Sequence, residues 1–427
     1  MADGNIIARV GKIIDSDSAR RIIVVSAPGK RYSDDIKVTD LLYACYDELV
    51  KTGSCKKNFA LVSKRFENIV KELDIDFDIS SVLAETEARI VAEKDEGFTA
   101  SRGEYLSARV CAAAFGAQFV DAENIIFLKD NGSVDGTRSY AAIADALEGV
   151  ERAVIPGFYG TGSDGRVKTF SRGGSDVSGS IVARAVNASL YENWTDVSGF
   201  LACDPRIVDS PRRIKAISYK ELRELSYMGA NVLHAESIFP VRKAGIPIQI
   251  KNTFAPEDEG TLILPMSRYV PGGNVVTGIA GKKNFAVIFI EKSLMNSEVG
   301  FICKVLEVLA RENISVEHIP SGIDTMSLVV ESSALKGGAL SRIIEGIQNA
   351  VDPDVIRIIE DVALIATVGH GMSSSVGTSA RLFNALAAAN INVGLIDQGS
   401  SELNIIVGVK NEDYEKTIKA IYGEFFR

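Results

Sequence analysis

The sequence predicts an α/β protein: one large strand–helix region followed by two copies of a smaller α+β unit. Three observations carry this expectation. Short β-branched apolar runs alternate with segments of helical apolar spacing up to about residue 262. Residues 263–274 then hold Pro265, Pro271, Gly272 and Gly273, the composition of a linker. Beyond it, from 275 to 427, the sequence repeats itself once at a constant offset.

The alternation is read element by element. Ile22–Ser26 (IIVVS) is an apolar run ending in Ala27-Pro28-Gly29, the signature of a buried strand and its turn. Val38–Val50 has helical spacing, with Leu41, Leu42, Cys45 and Leu49 on one face. Glu104–Gln118 reads as a second helix through Leu106, Val110, Ala113 and Ala114. Ala153–Tyr159 is a strand candidate, Val177–Ala188 is helical again, and Gly245–Lys251 is a third short strand. Strands separated by helices imply a parallel sheet.

In the last third, Gly300 recurs as Gly377, an offset of 77 (377 − 300). At that same spacing Leu309-Ala310 recurs as Leu386-Ala387, and Asn313-Ile314-Ser315-Val316 as Asn390-Ile391-Asn392-Val393. Gly322 recurs as Gly399, and Ser327–Val330 as Asn404–Val407. Each copy, about 285–360 and 361–427, reads as strand, helix, strand, strand, helix, which is a ferredoxin-like unit.

Composition narrows the function classes. At roughly 150 residues per domain, 427 residues make two or three domains. Hydrophobic residues are 46% and charged residues 24%, so a disordered, collagen-like or disulfide-scaffold chain is excluded. Lys+Arg is 47 against Asp+Glu 56, a net charge of −9, which argues against nucleic acid or an anionic membrane as partner. No apolar run reaches the roughly 20 residues of a membrane span. Met1-Ala2-Asp3-Gly4-Asn5 lacks the basic start of a secretory signal, and the five cysteines form no CxxC pair. A cytoplasmic protein is expected. Three scattered histidines and no Cys/His cluster make a protein-held metal site unexpected, and no GxSxG elbow is present.

Two glycine-rich stretches compete. Gly160-Thr-Gly162-Ser-Asp-Gly165 matches GxGxxG, but the alternating Arg166–Phe170 after it reads as a hairpin rather than the helix a dinucleotide site needs. Ser171-Arg172-Gly173-Gly174-Ser175-Asp176 does open a helix, where free N–H groups and the helix dipole favour an anion. Arg172 can fork onto a carboxylate or phosphate. By itself the segment also reads as an ordinary loop–helix junction, with Asp176 as a capping acid.

These residues resemble a known family. Thr169-Phe-Ser-Arg-Gly-Gly-Ser-Asp176 is similar to the aspartokinase signature T-x-G-R-G-G-S-D, with Ser171 in place of a glycine. Val25-Ser26-Ala27 with Thr39-Asp40-Leu41-Leu42 resembles its V-S-A…T-x-L-L segment, and Gly103-Glu104 with Leu106-Ser107 its G-E-x-L-S helix. Thr195-Asp196-Val-Ser-Gly199, Asp204-Pro205-Arg206 and Gly229-Ala-Asn-Val-Leu-His234 resemble its nucleotide segments. The tandem repeat resembles its paired ACT domains, so the resemblance spans nearly the whole chain in the family's order.

The resemblance implies an amino-acid-kinase-like three-layer α/β/α sandwich over 1–262 and a two-ACT regulatory region over 275–427. It implies phosphoryl transfer from ATP, with Mg²⁺, to the side-chain carboxylate of L-aspartate, the first step of lysine, threonine and methionine synthesis. Arg172 would hold the substrate α-carboxylate and Glu104 its ammonium. Thr39 and Ser175 would orient the side-chain carboxylate, with backbone donors from Gly173 and Gly174. Ser26 would sit near the phosphates, and Asp176 would organise the site. Thr195, Asp196, Arg206, Asn231 and Val232 would bind nucleotide. The bland alternatives are a solvated Glu104, an N-capping Thr39 and a surface-paired Arg206.

ACT domains pair side by side, so a homodimer is implied, with a tetramer as a further state. Met295, Gly300, Phe301, Ser315, Val316 and Glu317 match the effector region, although spacing alone favours Met295 and Phe301 as core residues over ligand contacts. Feedback inhibition by lysine is expected, with threonine as the alternative. Another amino-acid kinase acting on a different carboxylate is disfavoured by the signature and the repeat together.

One departure stands out. The family's opening K-F-G-G strand, with the lysine that neutralises the transferring phosphoryl group, has no counterpart before Met1-Ala2-Asp3. Lys12 lies on the following helix and is no substitute. A missing central strand leaves its neighbours with unpaired edges. Two expectations follow: Met1 is an internal methionine of a longer reading frame, or the chain is a catalytically impaired amino-acid sensor. An in-frame K-F-G-G in the upstream DNA supports the first, and a stop codon there removes it.

Overall fold

The computed structural model describes residues 1–170, 173–230, 233, 238–270 and 274–426. Its contacts divide into two units, Met1–Gly199 with Leu233–Arg268, and Phe200–Val232 with Tyr269–Arg427.

The first unit opens with α1 (Gly4–Asp15), β1 (Ile22–Val25), α2 (Val38–Thr52), α3 (Lys56–Leu73), α4 (Ile79–Glu93) and α5 (Glu96–Ala114). It continues through β2 (Gln118–Phe119), α6 (Ala122–Ile125), α7 (Gly136–Leu147), β3 (Ala153–Pro156), the hairpin strands β4 (Tyr159–Thr161) and β5 (Val167–Thr169), α8 (Gly174–Ala185) and β6 (Tyr191–Thr195). β1 and β2 flank β3 in parallel, with Ile22 and Gln118 both facing Ala153. The expected parallel sheet is therefore present, and α2, α3, α4 and α5 contribute the largest part of the core packed around it.

Two helix boundaries differ from the periodicity. α5 begins at Glu96, eight residues before Glu104, because the Asp95 side chain caps it by accepting from the Phe98 N–H at 2.8 Å. It ends at Ala114, where Gly116 turns into the left-handed region at φ 57°. α8 begins at Gly174 rather than Val177. The GxGxxG stretch is a hairpin, with Gly160 opposite Lys168 and Gly162 N–H donating to the Arg166 carbonyl.

The second unit begins with β7 (Ala216–Ser218) and α9 (Tyr219–Tyr227). The chain then returns to the first unit for α10 (Phe239–Ala244), β8 (Ile248–Asn252) and β9 (Thr261–Leu264). There β6 and β8 pair in parallel and β9 joins β8 antiparallel. β1 and β6 each end their sheet.

The repeat follows in the second unit. Copy one is β10 (Gly278–Glu291), α11 (Phe301–Arg311), β11 (Thr325–Glu331) and α12 (Ala339–Val351). Copy two is β12 (Val355–Val368), α13 (Thr378–Ala388), β13 (Leu395–Asp397), β14 (Asn404–Lys410) and α14 (Tyr414–Phe425). The second strand expected in copy one is reduced to bridges, His318 to Val329 and Ser321 to Met326. All five strands form one sheet in the order β11-β10-β12-β14-β13. β10 and β12 run antiparallel along their length, with a register shift around Phe285. Ala286, Ile288 and Ile290 pack in the first core, whereas Val276 and Ile279 pack in the second with Ala363 and Ile365. The second core thus borrows a strand segment that precedes the first copy. His318 Nδ1 and Asp397 Oδ2, 2.6 Å apart, join the two copies.

Candidate active site

In α/β proteins, ligands gather beyond the carboxyl ends of parallel strands. Two such ends carry motif residues here, β1 leading into Ser26 and β6 ending at Thr195 before Asp196, and a third, β3, leads into Gly157-Phe158. α8 packs against both β1 and β6. Its N-cap is Gly173, in the left-handed region at φ 57°, with no side chain capping the first N–H groups. The N–H groups of a helix start favour an anion. A Cβ at Gly174 would lie 2.4 Å from Phe158 Cδ2 and 2.9 Å from its Cα, and one at Gly157 would lie 2.8 Å from Ser175 Cα. The β3 turn and the start of α8 therefore fit only without side chains at these positions. Arg172 lies outside the described residues.

Asp176 sits in the first turn of α8 and is not its cap. Its Oδ1 accepts from Asn193 Nδ2 at 2.8 Å, which ties α8 to β6. The hydroxyl of Ser178 receives the Phe158 N–H at 3.0 Å and donates to the Gly174 carbonyl at 3.1 Å. Phe158 itself has φ 76°, a conformation that is costly for a bulky side chain.

Glu104 is the most unusual side chain in the site. It is only 6% exposed, on the inward face of α5, and its Oε2 is buried with no hydrogen-bond partner. Burial pushes its carboxyl up to about 7; the Ala27 backbone and nearby Arg102 pull the other way. A Cβ at Gly103 would lie 2.9 Å from Ala27 Cβ, so α5 and the turn after β1 are in close contact. The solvated-charge reading of Glu104 is thus overturned. Beside it, Arg102 is 1% exposed, donates to Ser101 Oγ and lies over the rings of Phe98, Tyr105 and Tyr159. Thr39 is half-buried inside the first turn of α2; the N-cap is Lys37, so the capping reading of Thr39 also falls. Ser26 is exposed.

The nucleotide candidates are more scattered. Thr195 ends β6, and its hydroxyl donates to Asp196 Oδ1 at 3.2 Å. Arg206, in the second unit, is 88% exposed and paired with Asp204 at 2.6 Å, the surface ion pair of its bland reading. Asn231 and Val232 lie outside the described residues. Phe158 and Asn193 escaped the sequence reading. A Pro156-Gly157 pair after a strand hinted at the turn, but nothing local betrays the φ of Phe158 or the reach of Asn193 across to α8.

The effector candidates separate into two groups. Met295 and Phe301 belong to the first regulatory core, and Gly300 caps α11 in the left-handed region at φ 80°. All three line a cavity of about 290 Å³, together with Cys303, Ser321 and Gly322. Ser315, Val316 and Glu317 do not line it. The Glu317 N–H donates to the Val329 carbonyl, and its carboxylate accepts from the Tyr227 hydroxyl. Gly322 was visible only as a repeat position. A larger, open cavity of about 620 Å³ lies at the opposite end of β2 and β3, lined by Gln118, Glu148 and Arg152 among others, and holds none of the motif residues.

Comparison with known proteins now bears on this arrangement. The model of the Amino acid kinase family matches residues 1–252, and that of an ACT domain matches residues 365–425. Aspartokinase 3 of Bacillus subtilis is 37% identical over 441 aligned positions, covering all of this chain and 96% of the relative. The chain belongs to the aspartokinase family. A crystal structure of Clostridium acetobutylicum aspartate kinase superposes with a TM-score of 0.94 at 51% identity, over 99% of this chain and 97% of that one. Escherichia coli aspartokinase III, solved with aspartate and ADP, shares the fold at a TM-score of 0.75 and 24% identity, over 100% and 97% of the two chains.

Family membership settles the three-layer kinase fold with ACT regulation, and with it the enzyme class: an aspartate kinase. It disfavours the non-catalytic sensor. No helix of the described residues is long and apolar enough to cross a membrane. Among the same residues no group of three or more His, Cys, Asp or Glu side chains could hold a metal. Asp176, whose Oδ1 accepts from Asn193, is a carboxylate in the first turn of α8.

Proposed function

We propose that this aspartokinase binds L-aspartate between Glu104 and the N-terminus of α8 and phosphorylates it from ATP. The carrying observation is the buried Glu104 oxygen that lacks a partner. A buried acceptor left unsatisfied is costly, and an ammonium group is the ligand that repays it best.

The α-ammonium of aspartate pairs with Glu104. Its α-carboxylate meets Arg172 and the open N–H groups beginning at Gly173 and Gly174. Thr39 and Ser175 hold the side-chain carboxylate in line with the γ-phosphorus. One carboxylate oxygen forms the new P–O bond as the bond to the bridging β–γ oxygen breaks, and ADP leaves. The nucleophile is already ionised, so no proton is abstracted, and catalysis is positioning and charge neutralisation. This accounts for a site without histidine or cysteine. Mg²⁺ supplies neutralising charge on the phosphates. Ser26 lies on the phosphate side, and Thr195, Asp196, Arg206, Asn231 and Val232 serve the nucleotide.

The regulatory reading is lysine as effector, with threonine as alternative. An E. coli relative is named a lysine-sensitive aspartokinase. The cavity beside Met295, Gly300 and Phe301 supplies the space. Leu294, Val299, Ile302 and Ile323 are exposed around that cavity, an apolar surface suited to a second copy. A homodimer through these units is proposed, with a tetramer as a further state, in the cytoplasm where ATP and aspartate are supplied.

The test is turnover of L-aspartate and ATP, read as ADP release and as acyl phosphate trapped by hydroxylamine. The single tryptophan, Trp194, directly precedes Thr195 and reports nucleotide binding by fluorescence. Aspartate-dependent ADP release that Glu104→Ala abolishes is expected. Fluorescence response without any turnover refutes the catalytic reading.

A further inference from the structure

We propose that Arg65, which no motif includes, is a positioning residue for phosphoryl transfer: it sets the loop of residues 26–37 so that Ser26, the Ala27 backbone and Thr39 address one aspartate. The proposal rests on the reading of Glu104 as ammonium acceptor.

The loop joins β1 to α2 and carries a matched site residue at each end. Arg65 reaches it from α3 and is 5% exposed. Its Nη1 donates to Asp35 Oδ2 at 2.6 Å, and its Nη2 donates to the carbonyls of Gly29 at 2.5 Å and Ala2 at 3.0 Å. One planar guanidinium therefore grips the loop near its beginning and near its end. Asp35, itself buried, also accepts from the Arg31 N–H, Nε and Nη2 at 2.8–2.9 Å, which folds the loop tip onto the same carboxylate. The two guanidinium groups hold its carboxyl well below the usual carboxylate range. Val38 N–H closes the loop on the Pro28 carbonyl at 3.3 Å.

A buried ion pair is a poor device for stability alone, since apolar packing often does as well. Arg65 also leaves its Nε buried without a partner, a further cost. What the arrangement supplies is one fixed path for the loop, and along that path Ala27 packs against Gly103, the neighbour of Glu104. Lysine cannot make the same three-way fork from one point.

The experiment compares Arg65→Lys and Asp35→Asn with the unmodified enzyme for aspartate KM, kcat, thermal midpoint and the pH profile of kcat/KM. The titratable and charged groups coupled to Glu104 are Arg102 on its own helix and Tyr43 on α2, and neither substitution touches them. Loss of the Ala27 backbone's pull raises the Glu104 carboxyl. The expected result is an aspartate KM raised about tenfold and an acidic limb moved up by about one pH unit, the worth of one hydrogen bond to a charged group. A lowered thermal midpoint with unchanged KM and unchanged limb means a merely structural Arg65 and overturns the proposal. If Glu104→Gln leaves aspartate KM and the limb of the otherwise unmodified enzyme as they were, the Glu104 reading fails instead, and Arg65 is judged on its own KM. Hydrogen exchange on the unmodified enzyme covers variants that do not fold: a slowly exchanging Arg31 amide, the donor to Asp35, is expected, and a fast one refutes the clamp.

Discussion

Glu104 shows how much one buried side chain can say. Its carboxyl titrates near 7 because burial disfavours the charge. Two consequences have opposite signs. For binding, the ionised form is needed, so kcat/KM for aspartate should fall as pH drops below about 7 and the limb should vanish in Glu104→Gln. For stability, a carboxyl raised in the folded state favours folding at low pH, and this advantage is lost as pH rises from the unfolded value through 7. Above that, the ionised group costs on the order of 3 kcal/mol. Glu104→Gln should therefore raise the melting temperature at pH 8 and change it little at pH 5, while kcat/KM for aspartate is low at every pH. A melting temperature that falls at pH 8 would show that the buried charge is already compensated.

At the scale of elements, the proposed binding mode gives the start of α8 the corresponding work for the substrate's negative end. Gly173 bends the entry, and Gly174 lets Phe158 lie against it. The substitution Gly174→Ala forces a Cβ into Phe158, an overpacking cost of about 1–3 kcal/mol. Because displacement of the donors is felt in the chemistry, kcat/KM should drop on the order of 10²-fold, well beyond the stability loss. Steady-state kinetics beside thermal melts separate the two. The periodicity of α8 and α5 was legible over their apolar stretches, but their starts were not. Asp95 and Gly173 decide those starts, and the polar, glycine-containing turns that follow them carry little apolar signal.

For the molecule as a whole, the 77-residue repeat announced two alike units, and the structure adds that they share one sheet. β10 serves the second core with its first half and the first core with its second half. The units cannot fold as beads on a string, so regulation and folding are coupled within the region. Val299 is 95% exposed beside the effector cavity. Under the proposed dimer, Val299→Asp should yield monomers in sedimentation experiments and abolish lysine inhibition, with turnover in the absence of lysine retained. A dimer that persists places the interface elsewhere.

The sequence by itself determined the family, the tandem repeat, the parallel α/β order and most of the residues to inspect. Each of these rests on local spacing or on glycines that only a few backbone paths allow. Tertiary structure alone decided that Glu104 is buried with a free oxygen, that Thr39 is not a cap, that Glu317 is occupied by Tyr227, and that Arg65 grips the loop between β1 and α2. Those are properties of contacts between residues tens of positions apart. Burial and hydrogen-bond satisfaction arise only when distant segments meet, so no window of sequence contains them.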